Sequence, residues 1–113
     1  MTQYAAILFA VAATAGAVMA GLHLKGRMPP WPLTVFHGMF AIGGLVSLLL
    51  EAADWSEFGL IHVCTILFSL AAIGGLIVVS FHFRGLHPPK PLLFGHAGGA
   101  VTAFVILLVH LFR

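Results

Sequence analysis

Histidine is the residue whose number and spacing in this sequence indicate chemistry. The 113 residues include 7 histidines beside only 5 Lys and Arg and 3 Asp and Glu. Histidine is the commonest protein ligand for metals, which bind its neutral imidazole, and its side chain changes charge near neutral pH. Ionisable side chains in an apolar chain are costly to bury and usually mark function. The histidines are therefore the candidates for a functional site.

Two pairs of histidines recur in the same register. HLKGRMPPWPLTVFH runs from His23 to His37, and HFRGLHPPKPLLFGH runs from His82 to His96. An offset of 59 residues aligns both histidines of each segment, and with them a basic residue, a glycine and three prolines. The chain is therefore a tandem repeat, and both copies keep a pair of histidines.

The elements that position these histidines follow from composition. With 61% hydrophobic and 7% charged residues, the chain lies far outside the range of water-soluble domains and is predicted to be an integral membrane protein. An apolar stretch of about 20 residues spans a bilayer as a helix. Ser56 is expected to cap the third of these helices. The four expected helices cover residues 4–24, 33–53, 58–83 and 92–112.

Each repeat predicts one helical hairpin. Gly26 and Gly85 follow the first helix of each hairpin, where a left-handed residue ends a helix, and prolines precede the second helix. The sequence thus predicts an all-α, integral membrane four-helix bundle built from two tandem helical hairpins with pseudo-twofold symmetry. Residues 1–113 form a single transmembrane domain, with repeat 1 at about 1–54 and repeat 2 at about 55–113.

Charged residues divide between the two ends of the predicted bundle. The loop end carries Lys25, Arg27, Arg84 and Lys90. The opposite end carries Glu51, Asp54, Glu57 and Arg113. Because short loops rich in Lys and Arg stay in the cytoplasm, we expect cytoplasmic repeat loops and both termini on the other side, in a bacterial inner membrane.

The histidines fall into a layer near the loops and a smaller set elsewhere. His23, His37, His82 and His96 all lie within about two helical turns of the loops, while His87 lies in a loop, where a role at the lipid headgroups is the better interpretation. On the fourth helix, His96 and His110 are 14 residues apart. That spacing places them nearly on one face, about 21 Å apart.

The fourteen-residue spacing, with further histidines on other helices, resembles the paired haem-ligand histidines of membrane b-type cytochromes. The layout is similar to that of the four-helix di-haem cytochrome b561 type. The resemblance implies two haem b groups and electron transfer across the bilayer. Two neutral imidazoles are suitable axial ligands, and the sequence has no Cys-x-x-Cys-His motif for covalent attachment.

Symmetry restricts the loop-side haem to two possible ligand pairs. His37 with His96 is preferred over His23 with His82, because the former lie deeper and on helices that are diagonal in an up-down bundle. His23 and His82, with Lys25 and Arg84, would then lie at the haem edge or beside the propionates. Small residues supply room for a porphyrin, and Gly16 and Gly75 are expected to face His23 and His82.

The second haem needs a partner for His110 in the other half of the bundle. Gln3, Glu51 and His62 are the polar candidates, and His62 is the only usual haem ligand among them. His62 and His82 are separated by about 200° around their helix, so both cannot face one straight core. His62 and His110 are therefore the predicted second pair of ligands to haem iron.

The leading functional hypothesis is a cytochrome that exchanges electrons with quinone, with a small redox species such as superoxide, or with a redox partner protein. Oxidoreductase activity stays open, the lipid bilayer is the surrounding partner, and no nucleic acid is expected. Two alternatives stay open: a histidine-rich membrane metal-binding or metal-transport protein, and a small structural subunit of a respiratory complex. Bound haem, visible as a Soret band, distinguishes the first hypothesis from the others.

Overall fold

The computed structural model describes all residues 1–113 and contains four long helices and no strands. Each helix is long and apolar enough to cross a membrane. The all-α four-helix bundle is therefore confirmed, with helix starts two residues from the predicted positions. The helices are α1 (Thr2–Leu24), α2 (Trp31–Glu51), α3 (Leu60–Phe83) and α4 (Lys90–Phe112).

The two hairpin loops begin with the same backbone turn. Gly26 and Gly85 adopt left-handed φ angles of 73° and 69°, as their positions predicted. In the first loop the Arg27 N–H donates to the Leu22 carbonyl at 2.8 Å, and the equivalent bond in the second loop is 2.9 Å. These bonds satisfy carbonyls that the end of the helix leaves free, so each loop is short and fixed in direction.

The helices pack as two hairpins. Helix α1 packs closely on α2, and α3 packs closely on α4. The hairpins meet through α1 with α4 and α2 with α3, and these contacts are less extensive than those within each hairpin. Helices α1 and α3 are therefore one diagonal of the bundle, and α2 and α4 are the other. The bundle measures 44 × 21 × 20 Å, which suits a membrane span.

The hydrophobic core occupies the half of the bundle away from the loops, and it follows the repeat. The rings of Phe9 and Phe68 stack with centroids 3.7 Å apart and planes within 1° of parallel. Leu48 and Leu107 are fully buried in the same cluster. The two members of each pair are 59 residues apart in sequence, so the core itself has the pseudo-twofold symmetry.

The start of α3 differs from the prediction. The N-cap residue is Gly59, whereas Ser56 lies in the preceding turn and donates its N–H to Asp54 Oδ1 at 2.9 Å. Hydrogen bonding by the Ser56 side chain, and then by its backbone N–H, lowers the pKa of the Asp54 carboxyl below its ordinary value. Ser56 therefore stabilises a turn before the helix and does not cap the helix.

Candidate cofactor site

The rings of His37 and His96 meet edge to face across the bundle. Their ring centroids are 6.2 Å apart and their planes cross at 84°. The rings come from α2 and α4, which lie on one diagonal, and both side chains are half-buried. The structure thus brings together the two histidines that the sequence predicted as the loop-side pair.

Backbone carbonyls fix the tautomer of both rings. His37 Nδ1 lies 2.7 Å from the Ala12 carbonyl oxygen, and His96 Nδ1 lies 2.8 Å from that of Ala71. Because a carbonyl oxygen only accepts, Nδ1 carries the proton in each ring and Nε2 carries the free lone pair. Metal-binding histidines commonly have this arrangement, since the second hydrogen bond orients the ring and makes it a better ligand.

A glycine four residues after each of these carbonyls leaves room for the histidine ring. A Cβ atom on Gly16 would lie 2.9 Å from Cε1 of His37, and one on Gly75 would lie equally close, at 2.9 Å, to Cε1 of His96. The prediction that these glycines face His23 and His82 is therefore wrong. Antiparallel geometry could have given the answer, because Gly16 is ten residues before Gly26 and His37 is eleven residues after it.

The spacing and chemistry of the pair fit a metal centre with two imidazole ligands. Metal to imidazole nitrogen distances of about 2.0–2.1 Å would place two opposed ring centroids roughly 6 Å apart. The observed separation is 6.2 Å. Both nitrogens left free by the carbonyl bonds are of the kind that binds haem iron. The ring separation and the two free nitrogens therefore match two haem ligands in distance and in donor type.

The aromatic core closes the bundle on one side of the pair, and an apolar groove follows each hairpin. Phe9 lies three residues before Ala12 in α1, so the stack of Phe9 and Phe68 closes the bundle about 4.5 Å deeper than the histidines. Outside the pair, an apolar groove of about 410 Å³ follows α1 and α2, and one of about 310 Å³ follows α3 and α4 and includes His96 in its wall. The two grooves share repeat-equivalent positions.

His23 and His82 occupy equivalent positions but have different neighbours. The His82 ring stacks on Trp31 with centroids 3.9 Å apart, and its Nδ1 lies 3.3 Å from Thr34 Oγ1. His23 Nδ1 instead lies 3.0 Å from Nδ1 of His87. The repeat does not predict this contact, because His87 lies in a loop and has no histidine counterpart in the first repeat.

The predicted far pair, His62 and His110, has a different geometry. His62 is buried, its Nδ1 accepts from the Gly59 N–H at 3.1 Å, and its Nε2 donates to the Asp54 carbonyl at 2.7 Å. The His62 ring packs against Trp55, with centroids 4.4 Å apart. His110 Nδ1 is buried without a hydrogen-bond partner. The pair stays a prediction in which His110 has a free nitrogen and both nitrogens of His62 are already bonded.

The basic residues predicted beside the haem edge are exposed at the loop end. The Arg84 guanidinium lies over the Phe81 ring, 4.4 Å from its centroid, and Nε donates to the Ser80 carbonyl at 3.2 Å. Lys25 caps the end of α1 through its backbone, and its side chain is exposed. Neither side chain is in an ion pair, so both are available to an anionic group.

Fold and site together define a four-helix bundle of membrane-spanning type with one backbone-oriented histidine pair inside it. No group of three or more His, Cys, Asp or Glu side chains is placed to hold a metal ion. No protein-family model matches the sequence, and neither a curated protein nor a solved structure matches it.

Proposed function

We propose that this protein is a membrane b-type cytochrome in which His37 and His96 bind the haem iron. The observation that carries the proposal is the facing pair of rings, each with Nδ1 bonded to a helix carbonyl and Nε2 left free. Two imidazole ligands leave haem iron without an open coordination position, which suits electron transfer better than oxygen chemistry.

The surroundings of the pair support a flat cofactor at this position. Both rings lie at the boundary between the hairpins, where helix contacts are less extensive than inside each hairpin. Gly16 and Gly75 present no side chain to the rings. The propionates of a haem are best accommodated at the loop end, because Lys25 and Arg84 offer charge-assisted hydrogen bonds there and burial in hydrocarbon is costly.

A second haem would extend electron transfer across the whole bilayer, and it is part of the proposal only through His110. The unpartnered Nδ1 of His110 supports it, whereas the hydrogen bonds of His62 must break before that ring can bind iron. The number of haems per chain decides between one centre and two. The centre at His37 and His96 does not depend on the second one.

The donor and acceptor belong to the same proposal. A quinone, a small redox species such as superoxide, or a redox partner protein would exchange electrons with the haem at its exposed edge. The basic loops support a cytoplasmic position of this edge in a bacterial inner membrane, because short Lys- and Arg-rich loops are retained inside.

The test is the spectrum of single histidine variants. The protein is expressed with ample haem and purified, and reduced-minus-oxidised spectra are recorded for the wild type, His37→Ala, His96→Ala and His110→Ala. The haem bound by His37 and His96 is called the central haem below. We expect its low-spin signal to disappear in the first two variants and to persist in His110→Ala. Full signals in both His37→Ala and His96→Ala would overturn the proposal.

A further inference from the structure

A second pair of histidines meets at the loop end, outside the proposed haem site. The Nδ1 atoms of His23 and His87 are 3.0 Å apart, and their rings cross at 86°. His23 lies in the last turn of α1, whereas His87 lies in the loop between α3 and α4, so the contact joins the two hairpins. His87 is exposed and His23 is half-buried, which leaves the pair open to water from one side.

The distance between the two nitrogens matches two neighbouring positions on one metal ion. With metal to nitrogen distances of about 2.0–2.1 Å, two nitrogens lie about 2.9 Å apart at a right angle and about 3.4 Å apart in a tetrahedron. The observed 3.0 Å falls between these values. Imidazole suits zinc, copper and nickel. We propose that His23 and His87 bind one divalent transition-metal ion through their Nδ1 atoms.

Metal binding requires one proton to move from Nδ1 to Nε2 within one ring, and the neutral pair releases no proton. In the metal-free contact one Nδ1–H donates to the lone pair of the other Nδ1. A metal ion takes the place of that proton once the proton has passed to Nε2 of the same ring, because both neutral rings then present an Nδ1 lone pair. The remaining coordination positions go to water, because His82 is held against Trp31 and Thr34.

The charged side chains at the loop end are positive and do not attract a metal ion. Lys25 and Arg84 are exposed at the same end of the bundle and oppose a second cation. Affinity must therefore come from the two neutral imidazoles and not from the local potential. A metal ion at this site links the end of α1 to the second loop and stabilises the association of the hairpins.

The repeat supplies a variant that the fold already accommodates. Met28 occupies the position in the first loop that His87 occupies in the second, 59 residues later. His87→Met therefore places in the second loop a side chain that the first loop already carries. Met28→Leu is the matched control, since it changes the equivalent position and leaves both histidines in place.

The experiment is a calorimetric titration of the purified protein with zinc chloride. We expect the wild type and Met28→Leu to bind one more zinc ion than His87→Met, or to bind it at least tenfold more tightly, and His23→Ala to behave as His87→Met does. Zinc binding by His87→Met equal to that of the wild type would overturn the proposal. So would the loss of the same zinc ion in His37→Ala, because that result assigns the metal to the central pair.

Thermal unfolding gives a second readout that does not depend on haem. Zinc that binds the folded state raises the unfolding midpoint as its concentration increases. We expect this shift in the wild type and in Met28→Leu, and its loss in His87→Met, whose circular dichroism should be unchanged. An equal zinc-dependent shift in His87→Met would contradict the site, whereas the spectra of the haem variants test the central pair separately.

Discussion

At the scale of single residues, hydrogen bonding decides which histidines can act as ligands. His37 and His96 each use Nδ1 on a carbonyl and keep Nε2 free. His62 uses one nitrogen as acceptor and the other as donor. His37 and His96 can therefore bind a metal through Nε2, whereas His62 has no free nitrogen. The difference comes from the backbone groups around each ring, which the spacing of the histidines in sequence does not reveal.

Gly16→Ala tests whether the close approach of the His37 ring matters. The added Cβ would lie 2.9 Å from Cε1 of His37, so the ring must move and its bond to Ala12 is weakened. We expect at least tenfold weaker haem binding and a free energy of unfolding lower by about 1–3 kcal/mol. Haem titration and denaturant unfolding measure the two effects.

Gly21→Ala is the control for that experiment, because it lies in the same helix and a Cβ there meets nothing within 4 Å. It should leave haem binding unchanged and raise helix stability slightly, since alanine favours helix over glycine by about 1 kcal/mol. Equal haem affinity in the Gly16→Ala and Gly21→Ala variants would show that the approach of the ring is not needed.

His62→Ala tests the role of the far histidine. Its removal leaves the Gly59 N–H and the Asp54 carbonyl without their partner, so we expect a loss of about 1–3 kcal/mol in the free energy of unfolding. The central haem signal should be unchanged. Loss of one haem per chain with no change in stability would instead identify His62 as a ligand.

At the scale of the helices, the sequence predicts a helix end correctly where the conformation of one or two residues determines it. Gly26 and Gly85 predicted both hairpin turns, because a left-handed residue after a helix strongly favours glycine. Ser56 misled because a turn to Asp54 competes with capping, and Gly59 with His62 provides the start of α3. The outcome of such a competition depends on three-dimensional contacts.

The same distinction holds for the candidate site. The pairing of His37 with His96 could be predicted, because the repeat and the diagonal position of α2 and α4 are both visible in sequence. The contact of His37 with Ala12 and Gly16 depends on the register of the hairpin, and that of His23 with His87 on the packing of one hairpin against the other. The first contact could have been found by counting residues on both sides of Gly26, whereas the second has no such signal in the sequence.

Gly85→Ala tests the turn at the scale of one hairpin. Its φ of 69° is strained for a residue with a Cβ, so we expect a free energy of unfolding lower by about 1–2 kcal/mol. Gly98→Ala, in the interior of α4 with nothing within 4 Å of its Cβ, is the control and should be neutral or slightly stabilising. If both variants had the same unfolding free energy, the turn would not require glycine.

At the scale of the whole molecule, the two ends of the bundle have different contents, and both hairpins contribute to each end. The half away from the loops holds the stack of Phe9 and Phe68 and the apolar core. The half near the loops holds the central histidine pair and is flanked by basic residues. The haem proposal therefore predicts that charge at the loop end influences the cofactor more than charge at the other end does.

Neutralising Lys25 and Arg84 together, as Lys25→Gln and Arg84→Gln, tests this coupling. Positive charge stabilises the reduced state of a nearby centre, so we expect the reduction potential of the central haem to fall in the double variant. Arg113→Gln, at the opposite end of the bundle, should leave it nearly unchanged. A redox titration with equal potentials in all three proteins would show that the basic loops serve only membrane orientation.

The most direct test of the account is the absorption spectrum of the wild-type protein purified from cells supplied with ample haem, with haem quantified per chain. We expect a red protein with a sharp Soret band, a six-coordinate low-spin spectrum and haem that acidic solvent extracts, because no cysteine motif attaches it. A colourless, correctly folded protein would contradict the account, since the two backbone-oriented rings of His37 and His96 would then serve no haem iron.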